Sequence, residues 1–336
     1  MDIDFKIYEK NLNEFATRSE YAKRYVFEEK NNIRNPFQID RDRIIHSKSF
    51  RRLKHKTQVY LNPEKDHYRT RLTHTLEVTQ IARTIARCLN LNEDLVEAIG
   101  LGHDLGHTPF GHLGEKVLNK LNPNGFKHYE QSINVVKYLE HTDRRVGLNL
   151  TLQTMDGILN HSGENIASTL EGQIIKYSDR IAYINHDIDD SIRSNILKES
   201  DLPAEITNRL GNRGSVRINF LVNDLVNSSF GKNCITMSES TYKLMEQLRS
   251  FMFEKVYFNS TVRKDDKKVE YVLKSLYQFY IEDITRLPMS HLNIYDNEYL
   301  KNKTNDDIVS DYIAGMTDSF ARRTFNEIFI PSSWNI

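Results

Sequence analysis

A stretch of thirteen residues contains an unusual density of side chains that bind metals or carry protons. The segment HDLGHTPFGHLGE, residues 103–115, holds three histidines, one aspartate and one glutamate. A hydrophobic core does not accept five such polar groups without partners. Mixed imidazole and carboxylate ligands suit Mn, Fe or Mg, and they are compatible with Zn or Co. The segment therefore predicts a divalent-metal site, a proton-transfer site, or both.

The segment before it contains a further histidine on a predicted helix. Between residues 70 and 90, apolar residues recur at steps of three and four from Val78 to Cys88, which indicates a helix with one apolar stripe. His74 lies on that stripe, one turn before Val78, and is predicted to point inward. A single histidine on such a face is usually a core residue, so this position alone does not define a site.

A second helix is predicted to contain the start of the polar segment. Asn92 is a favourable N-cap, and Pro109 disfavours helix at the residue before it. His103 and His107 then share one face of this helix. Three glycines fall inside it, namely Gly100, Gly102 and Gly106. Each glycine costs about 0.5–1 kcal/mol relative to alanine, which indicates that another segment packs closely against the backbone.

A third helix is predicted over about 169–195. Ser168 and Glu171 fit a capping box at its start. Polar residues four apart place three candidate side chains on one face of it: Asp179, Tyr183 and Asp187.

The composition limits the class of protein. The 336 residues contain 46 basic and 46 acidic side chains, so binding of a polyanion by overall charge is not expected. Cys88 and Cys234 are too few for a disulfide framework and suit a reducing compartment. The polar N-terminus does not resemble a signal peptide, and no apolar run approaches the roughly 20 residues of a membrane span. We expect a cytoplasmic protein.

The low glycine and proline content favours an all-α fold. We expect peripheral helices over 1–40, a catalytic helical core over 41–200, and a helical region over 201–336 that packs on the core as an appended lobe.

The order of the candidate ligands resembles a known signature. His74, the pair His103-Asp104, and Asp179 resemble the H…HD…D pattern of the HD phosphohydrolase superfamily. More narrowly, the chain resembles the deoxyguanosine triphosphate triphosphohydrolase-like family. The stretches that carry this resemblance are FRRLKHKTQVY (50–60), RLTHTLEV (71–78), GLGHDLGHTPFGHLGE (100–115), FKHYEQS (126–132), YSDRIAYINHDIDD (177–190) and DYIAGMTD (311–318).

This resemblance implies an HD-domain core, hydrolysis of a deoxynucleoside triphosphate to the deoxynucleoside and inorganic triphosphate, and a divalent metal. The implied metal ligands are His74, His103, Asp104 and Asp179. The implied catalytic pair is His112 with Glu115, and the further active-site histidines are His107 and His128. The implied phosphate ligands are Arg71 and Arg180. The implied sugar contacts are Gln58, Tyr183, Asp187 and Tyr257.

Simpler interpretations apply to several of these residues. Tyr183 fits ordinary helix packing, and Gln58 and Arg180 fit surface positions. Asp187 fits an ion pair with a nearby lysine or arginine. The seven basic residues of segment 41–56 fit a nucleotide or single-strand groove, a wall of the substrate pocket, or a solvated helix.

The resemblance also implies regulation and assembly, because some relatives are multimers and use nucleotides or single-stranded nucleic acid as activators. We therefore expect a homo-oligomer and consider such an activator. The family pattern predicts a basic or large polar residue after MTD, where this chain has Ser319; Arg322 and Arg323 are the candidate replacements. A preference for dGTP is not assumed, because the chain is shorter than many relatives.

Two other functions compete with this one. An HD phosphatase would act on a monophosphate, a cyclic dinucleotide or a guanosine polyphosphate. A nucleic acid-binding regulator would keep only a vestigial metal site. The presence of all four ligands together with His112 and Glu115 argues against the regulator.

Overall fold

The structure, a computed structural model, describes residues 5–29, 31–58, 68–141 and 145–331. Within these ranges the chain forms helices and no β-strand, which confirms the all-α class. The first four residues of the N-terminal segment and the last two of the stretch 50–60 lie outside the described residues. No helix in the described part is both long and apolar enough to cross a membrane.

The helices are numbered in chain order. The first group is α1 (Phe5–Tyr8), α2 (Pro36–Ile45), α3 (Lys48–Arg52), α4 (Arg71–Cys88), α5 (Glu93–Gly102), α6 (Gly111–Leu121), α7 (His128–Asn134), α8 (Leu152–Leu159) and α9 (Leu170–Arg193). The second group is α10 (Ala204–Leu210), α11 (Gly214–Ser229), α12 (Glu239–Met252), α13 (Asp266–Glu282), α14 (Met289–Leu292), α15 (Asn305–Ala314) and α16 (Asp318–Phe329). Single π-helical turns extend α7 over Val135–Leu139 and α12 over Phe253–Tyr257.

The helices α4, α5 and α9 form the centre of the larger hydrophobic core. The α4 stripe is buried as predicted at Val78, Ile81 and Ile85, but Cys88, at the end of the helix, is exposed. Asn92 caps α5 by accepting a hydrogen bond from the Leu95 amide, which confirms the predicted start. Because α4 and α9 both pack on α5, residues on their facing sides meet at one place.

The predicted end of α5 was wrong. The helix stops at Gly102, and residues 103–110 form turns instead of continuing to Pro109. The Gly106 amide donates to the Ser132 hydroxyl at 2.9 Å, so it serves a contact with α7 rather than a helical bond. A Cβ at Gly106 would lie 2.1 Å from the backbone nitrogen of Ser132. The glycine there allows the turn to approach α7, and the predicted close packing is confirmed.

The cap of α9 also differs from the prediction. Thr169, not Ser168, accepts from the Gly172 amide at 3.1 Å. Ser168 is occupied elsewhere, since its hydroxyl donates to Asp156 at 2.7 Å. The Glu171 carboxylate accepts from the Thr17 amide at 3.0 Å and thereby holds the N-terminal segment against the core.

Two buried apolar clusters hold the described helices together. The larger runs from α2 to α12 and includes Leu221 and Leu248 from the region after residue 200. The smaller joins Phe110 and Leu118 to α13, α15 and α16. The last helices therefore pack against α6, the helix that follows the polar segment 103–115.

Candidate metal centre and active site

The first group of candidate residues gathers where α4, α5 and α9 meet. His74 on α4 is 1% exposed, which confirms that it points inward. Its Nε2 lies 3.0 Å from Oδ1 of Asp179 on α9. Ligand atoms of His74, His103 and Asp104 all lie within 4.8 Å of one another. The structure thus brings together the four residues predicted to bind a metal.

The hydrogen bonds of His103 fit a metal ligand. Its Nδ1 donates to the Gly100 carbonyl at 2.7 Å, so Nε2 is the nitrogen that could ligate a metal. Nε2 is buried and has no hydrogen-bond partner in the described part of the chain. It lies 3.4 Å from Oδ2 of Asp104. A backbone carbonyl that fixes the far nitrogen of a histidine is the usual support for metal ligation.

The electrostatics of the group favour a positive charge at this point. Burial raises the pKa of Asp104, but His103 and Arg71 outweigh it and hold the pKa well below its ordinary value. The pKa of Asp179 is likewise lowered, against burial, by His74 and His103. Burial opposes protonation of His103, yet Asp104 raises its pKa to about 9. Ionised carboxylates around an orphaned imidazole nitrogen are a donor set suited to a divalent cation.

A second group contains the remaining histidines and Glu115. Oε1 of Glu115 accepts from both the backbone amide and Nδ1 of His128, each at 2.9 Å. Its Oε2 lies 3.5 Å from Nδ1 of His112. Burial raises the pKa of Glu115, but the hydrogen bonds from His112 and His128 lower it far more. The predicted contact between His112 and Glu115 is present, but His128 is the closer partner of the carboxylate.

His107 and His112 differ in their exposure. His107 is 1% exposed, and neither of its ring nitrogens has a partner in the part of the chain that the structure describes. Burial, Arg71 and His128 lower its pKa well below the ordinary value, so the ring is neutral. The side chain of His112 is 78% exposed. His107 can therefore contact a ligand in the interior, whereas His112 faces the open side of the site.

The two candidate phosphate ligands are placed differently. Arg71, at the start of α4, is buried, and its Nη1 donates to Oδ2 of Asp104 at 2.6 Å. Arg180 on α9 donates to Glu246 on α12 at 2.9 Å. Arg71 thus belongs to the metal-ligand group, while the guanidinium of Arg180 is paired with α12.

Two of the candidate sugar contacts, Tyr183 and Asp187, lie on α9, and a third, Tyr257, reaches Asp187. The Tyr257 hydroxyl donates to the Asp187 carboxylate, so the partner of Asp187 is a tyrosine rather than a lysine or arginine. Burial raises the pKa of Asp187 to about 7. Tyr183 is half-buried against the larger core, and burial raises its pKa to about 12. Gln58 has a buried side-chain oxygen without a partner in the described residues.

The basic segment 41–56 is divided between surface and interior. Arg41 pairs with Glu97 at 3.2 Å and Arg43 with Glu28 at 2.6 Å, as expected for a solvated helix. Lys56 is buried, and its ammonium group donates to the carbonyls of His107 and Ala314. Arg52 lines a cleft of about 630 Å³, and Ser319 and Arg323 line it as well.

One buried histidine of the site was not predicted. His161 follows α8, and its Nε2 lies 3.3 Å from Nε2 of His128. Its ring centroid lies 5.0 Å from that of His103. The sequence around it, with a histidine two residues after Leu159, also fits an ordinary core histidine and so gave no distinct signal.

Comparisons with known proteins agree with this geometry. The HD domain family matches residues 71–184, and the phosphohydrolase-associated domain matches residues 235–327. A deoxyguanosinetriphosphate triphosphohydrolase-like protein of Caldanaerobacter subterraneus subsp. tengcongensis is 52% identical over 99% of this chain and 95% of its own length. The chain belongs to the deoxyguanosinetriphosphate triphosphohydrolase-like family. A second family member, from Clostridium tetani, is 50% identical over 94% of this chain and 92% of its own length.

Membership of the deoxyguanosinetriphosphate triphosphohydrolase-like family makes this protein a nucleotide phosphohydrolase. The fold has a counterpart among solved structures. A phosphohydrolase from Bacteroides thetaiotaomicron superposes with a TM-score of 0.53 at 18% identity, covering 85% of this chain and 67% of that one. At that identity the likeness shows the fold alone.

Proposed function

We propose that this protein is a divalent-metal-dependent deoxynucleoside triphosphate triphosphohydrolase that releases the deoxynucleoside and inorganic triphosphate. One observation carries the proposal: Asp104 belongs to two adjoining groups. The ligand atoms of Asp104, His74 and His103 lie within 4.8 Å of one another. The ligand atoms of Asp104, His107 and His128 lie within the same distance of one another. A cation held by the first group would lie beside imidazoles suited to a polyphosphate.

A bound Mg, Mn or Fe ion, with Co or Zn as the less favoured choices, would supply a Lewis acid for an α-phosphate oxygen and for the attacking water. His74, His103, Asp104 and Asp179 would hold it. Arg71 lies next to Asp104 and offers the guanidinium that binds a phosphate oxygen. Neutral His107, with both nitrogens unpaired in the described residues, hydrogen-bonds the next phosphate.

His112 is the proposed proton carrier. Its Nδ1 faces Glu115, so Nε2 is the nitrogen directed away from that carboxylate. Hydrolysis takes a proton from water, joins the water oxygen to the α-phosphorus, breaks the bond between that phosphorus and the 5′-oxygen, and delivers a proton to the 5′-oxygen. An exposed imidazole oriented by a carboxylate serves either transfer.

The sugar is proposed to lie along α9. The Asp187 carboxylate accepts from the 3′-hydroxyl, with Tyr257 as its second partner. The ring of Tyr183 lies one turn before Asp187 and would leave no space for a 2′-hydroxyl. Gln58 contributes a buried oxygen without a described partner. Arg180 is proposed to exchange Glu246 for a phosphate oxygen.

The proposal includes a cytoplasmic homo-oligomer with a nucleotide or single-stranded nucleic acid activator. Two exposed free cysteines, Cys88 and Cys234, agree with a reducing compartment. The cleft lined by Lys48, Arg52 and Arg323 offers cationic side chains to an anionic activator.

The test is a product analysis. The protein is incubated with each dNTP and each NTP, with Mg or Mn, and both products are identified. The proposal requires inorganic triphosphate and the deoxynucleoside. Release of orthophosphate or pyrophosphate would instead favour an HD phosphatase of different substrate class. Binding of single strands without any turnover would favour a regulatory protein.

A further inference from the structure

His161 is buried at the centre of the histidine cluster and has no role in the function proposed above. It is 2% exposed. Its Nδ1 lies 2.7 Å from the carbonyl oxygen of Ile158. Because a carbonyl only accepts hydrogen bonds, the proton of this imidazole lies on Nδ1. The opposite nitrogen, Nε2, is therefore an acceptor.

The acceptor nitrogen of His161, Nε2, faces Nε2 of His128. The two Nε2 atoms are 3.3 Å apart, so His128 must donate in this contact. On the other side of the same ring, Nδ1 of His128 lies 2.9 Å from Oε1 of Glu115. That oxygen also accepts from the His128 backbone amide, as an ionised carboxylate does. His128 therefore donates from both nitrogens and is clamped between a carboxylate and an imidazole.

We propose that His161 is a positioning residue of the polyphosphate site: its Nε2 accepts a hydrogen bond from His128 and fixes the plane of that ring. His161 would act on the substrate indirectly, through His128 and the histidine stacked on it. His107 stacks on His128 with ring centroids 4.8 Å apart and planes 25° apart. His107 has no hydrogen bond of its own in the described residues, so the stacked ring orients it. The inference rests on the proposed function for the identity of the ligand.

Two substitutions separate this role from packing. His161→Phe keeps a flat ring against His103 but lacks an acceptor. His161→Gln loses the ring but places an amide oxygen near the position of Nε2. With metal present, we expect His161→Phe to weaken binding of inorganic triphosphate and to lower kcat/KM about tenfold, the usual effect of losing a hydrogen bond with a charged group. His161→Gln should stay within about threefold of the wild type.

Three results would overturn the proposal. A greater loss in His161→Gln than in His161→Phe would show that the ring only fills space. An unchanged His161→Phe protein would show that the hydrogen bond has no effect. Loss of bound metal from either folded variant would make His161 a metal ligand instead.

A measurement on the unaltered protein tests the proposal without any variant of His161. In side-chain ¹⁵N spectra of histidine-labelled protein, the signals assigned to His128 by their loss in His128→Gln should both be of the protonated type. A pyridine-type Nε2 signal would refute the clamp even where the variants fail to fold. This spectrum also remains decisive if no triphosphate is released, so failure of the proposed function and failure of the clamp are distinguishable.

Discussion

Glu115 contacts both the exposed His112 and the buried His128. Its substitution tests most directly how this carboxylate supports the two histidines. Glu115→Gln keeps the shape of the side chain but removes its charge. The change weakens the 2.9 Å contact with His128 and the 3.5 Å contact with His112. A hydrogen bond to a charged group contributes about 1.5–3 kcal/mol, and each 1.4 kcal/mol is about tenfold in rate. We expect kcat/KM to fall roughly 10- to 100-fold, with the metal content unchanged.

The assay is steady-state release of inorganic triphosphate, with bound metal measured in parallel. Glu130→Gln is the matched control, because Glu130 lies on the exposed surface of α7 and pairs with Lys127, at 3.6 Å, among the described residues. Its effect on turnover should be negligible. A comparable loss in both variants would point to a general effect of charge rather than to support of the histidines.

A double-mutant cycle then tests which histidine Glu115 serves. His112→Ala alone should cost roughly 10²–10⁴ in turnover while metal binding persists. If Glu115 acted only through His112, adding Glu115→Gln would cause no further loss. The 2.9 Å contact with His128 predicts a further loss. Equal rates for the single His112→Ala and the double variant would refute this reasoning.

Three further predictions concern the metal and the sugar. His103→Ala and Asp179→Ala should each lose bound metal and turnover while circular dichroism stays helical; near-normal activity at limiting metal in either would contradict the ligand assignment. Tyr183→Ala should narrow the ratio of kcat/KM between dGTP and GTP by admitting GTP; equal losses for both would show that the ring only packs. Asp187→Asn should weaken both substrates yet stabilise the fold. Because the pKa of Asp187 is raised from 3.8 to about 7, its stabilising contribution is full below pH 3.8 and is lost as the pH rises through about 7. Urea unfolding of Asp187→Asn above neutral pH should therefore show a gain in the free energy of unfolding of up to about 4 kcal/mol, and a pH profile equal to that of the wild type would contradict it.

Local signals in the sequence predicted the helices that carry the site. Spacing of apolar residues identified α4 and the inward direction of His74, and the cap at Asn92 identified the start of α5. Periodicity and capping are properties of neighbouring residues, so a sequence reports them directly. The end of α5 depends instead on a contact between Gly106 and Ser132, which are 26 positions apart.

The contacts between side chains inside the site could be predicted less well from the sequence. The pair His112 and Glu115 was predicted because three residues separate them on one helix. The closer contact, from Glu115 to His128, joins α6 to α7 across thirteen positions. His161 meets His128 only because α8 packs against α7. No periodic pattern records such contacts, since they follow from how helices pack.

The region that matches the phosphohydrolase-associated domain contributes to the site through the backbone of the HD domain. Asp318, at the start of α16, accepts from the Thr57 amide at 3.0 Å and from the Phe110 amide at 2.9 Å. Phe110 has a left-handed backbone with φ of 62°, a conformation that costs energy in a non-glycine residue and therefore needs such support.

Lys56 makes the second link between the two regions. Its buried ammonium group donates to the carbonyl of Ala314 at 2.8 Å and to that of His107. Burial lowers the pKa of Lys56 well below its ordinary value, so its hydrogen bonds are costly to lose. Displacement of α15 would leave this group without the Ala314 carbonyl, and displacement of α16 would leave the Phe110 amide without the Asp318 carboxylate. The C-terminal helices therefore hold the backbone around His107, the histidine that we propose to bind the polyphosphate.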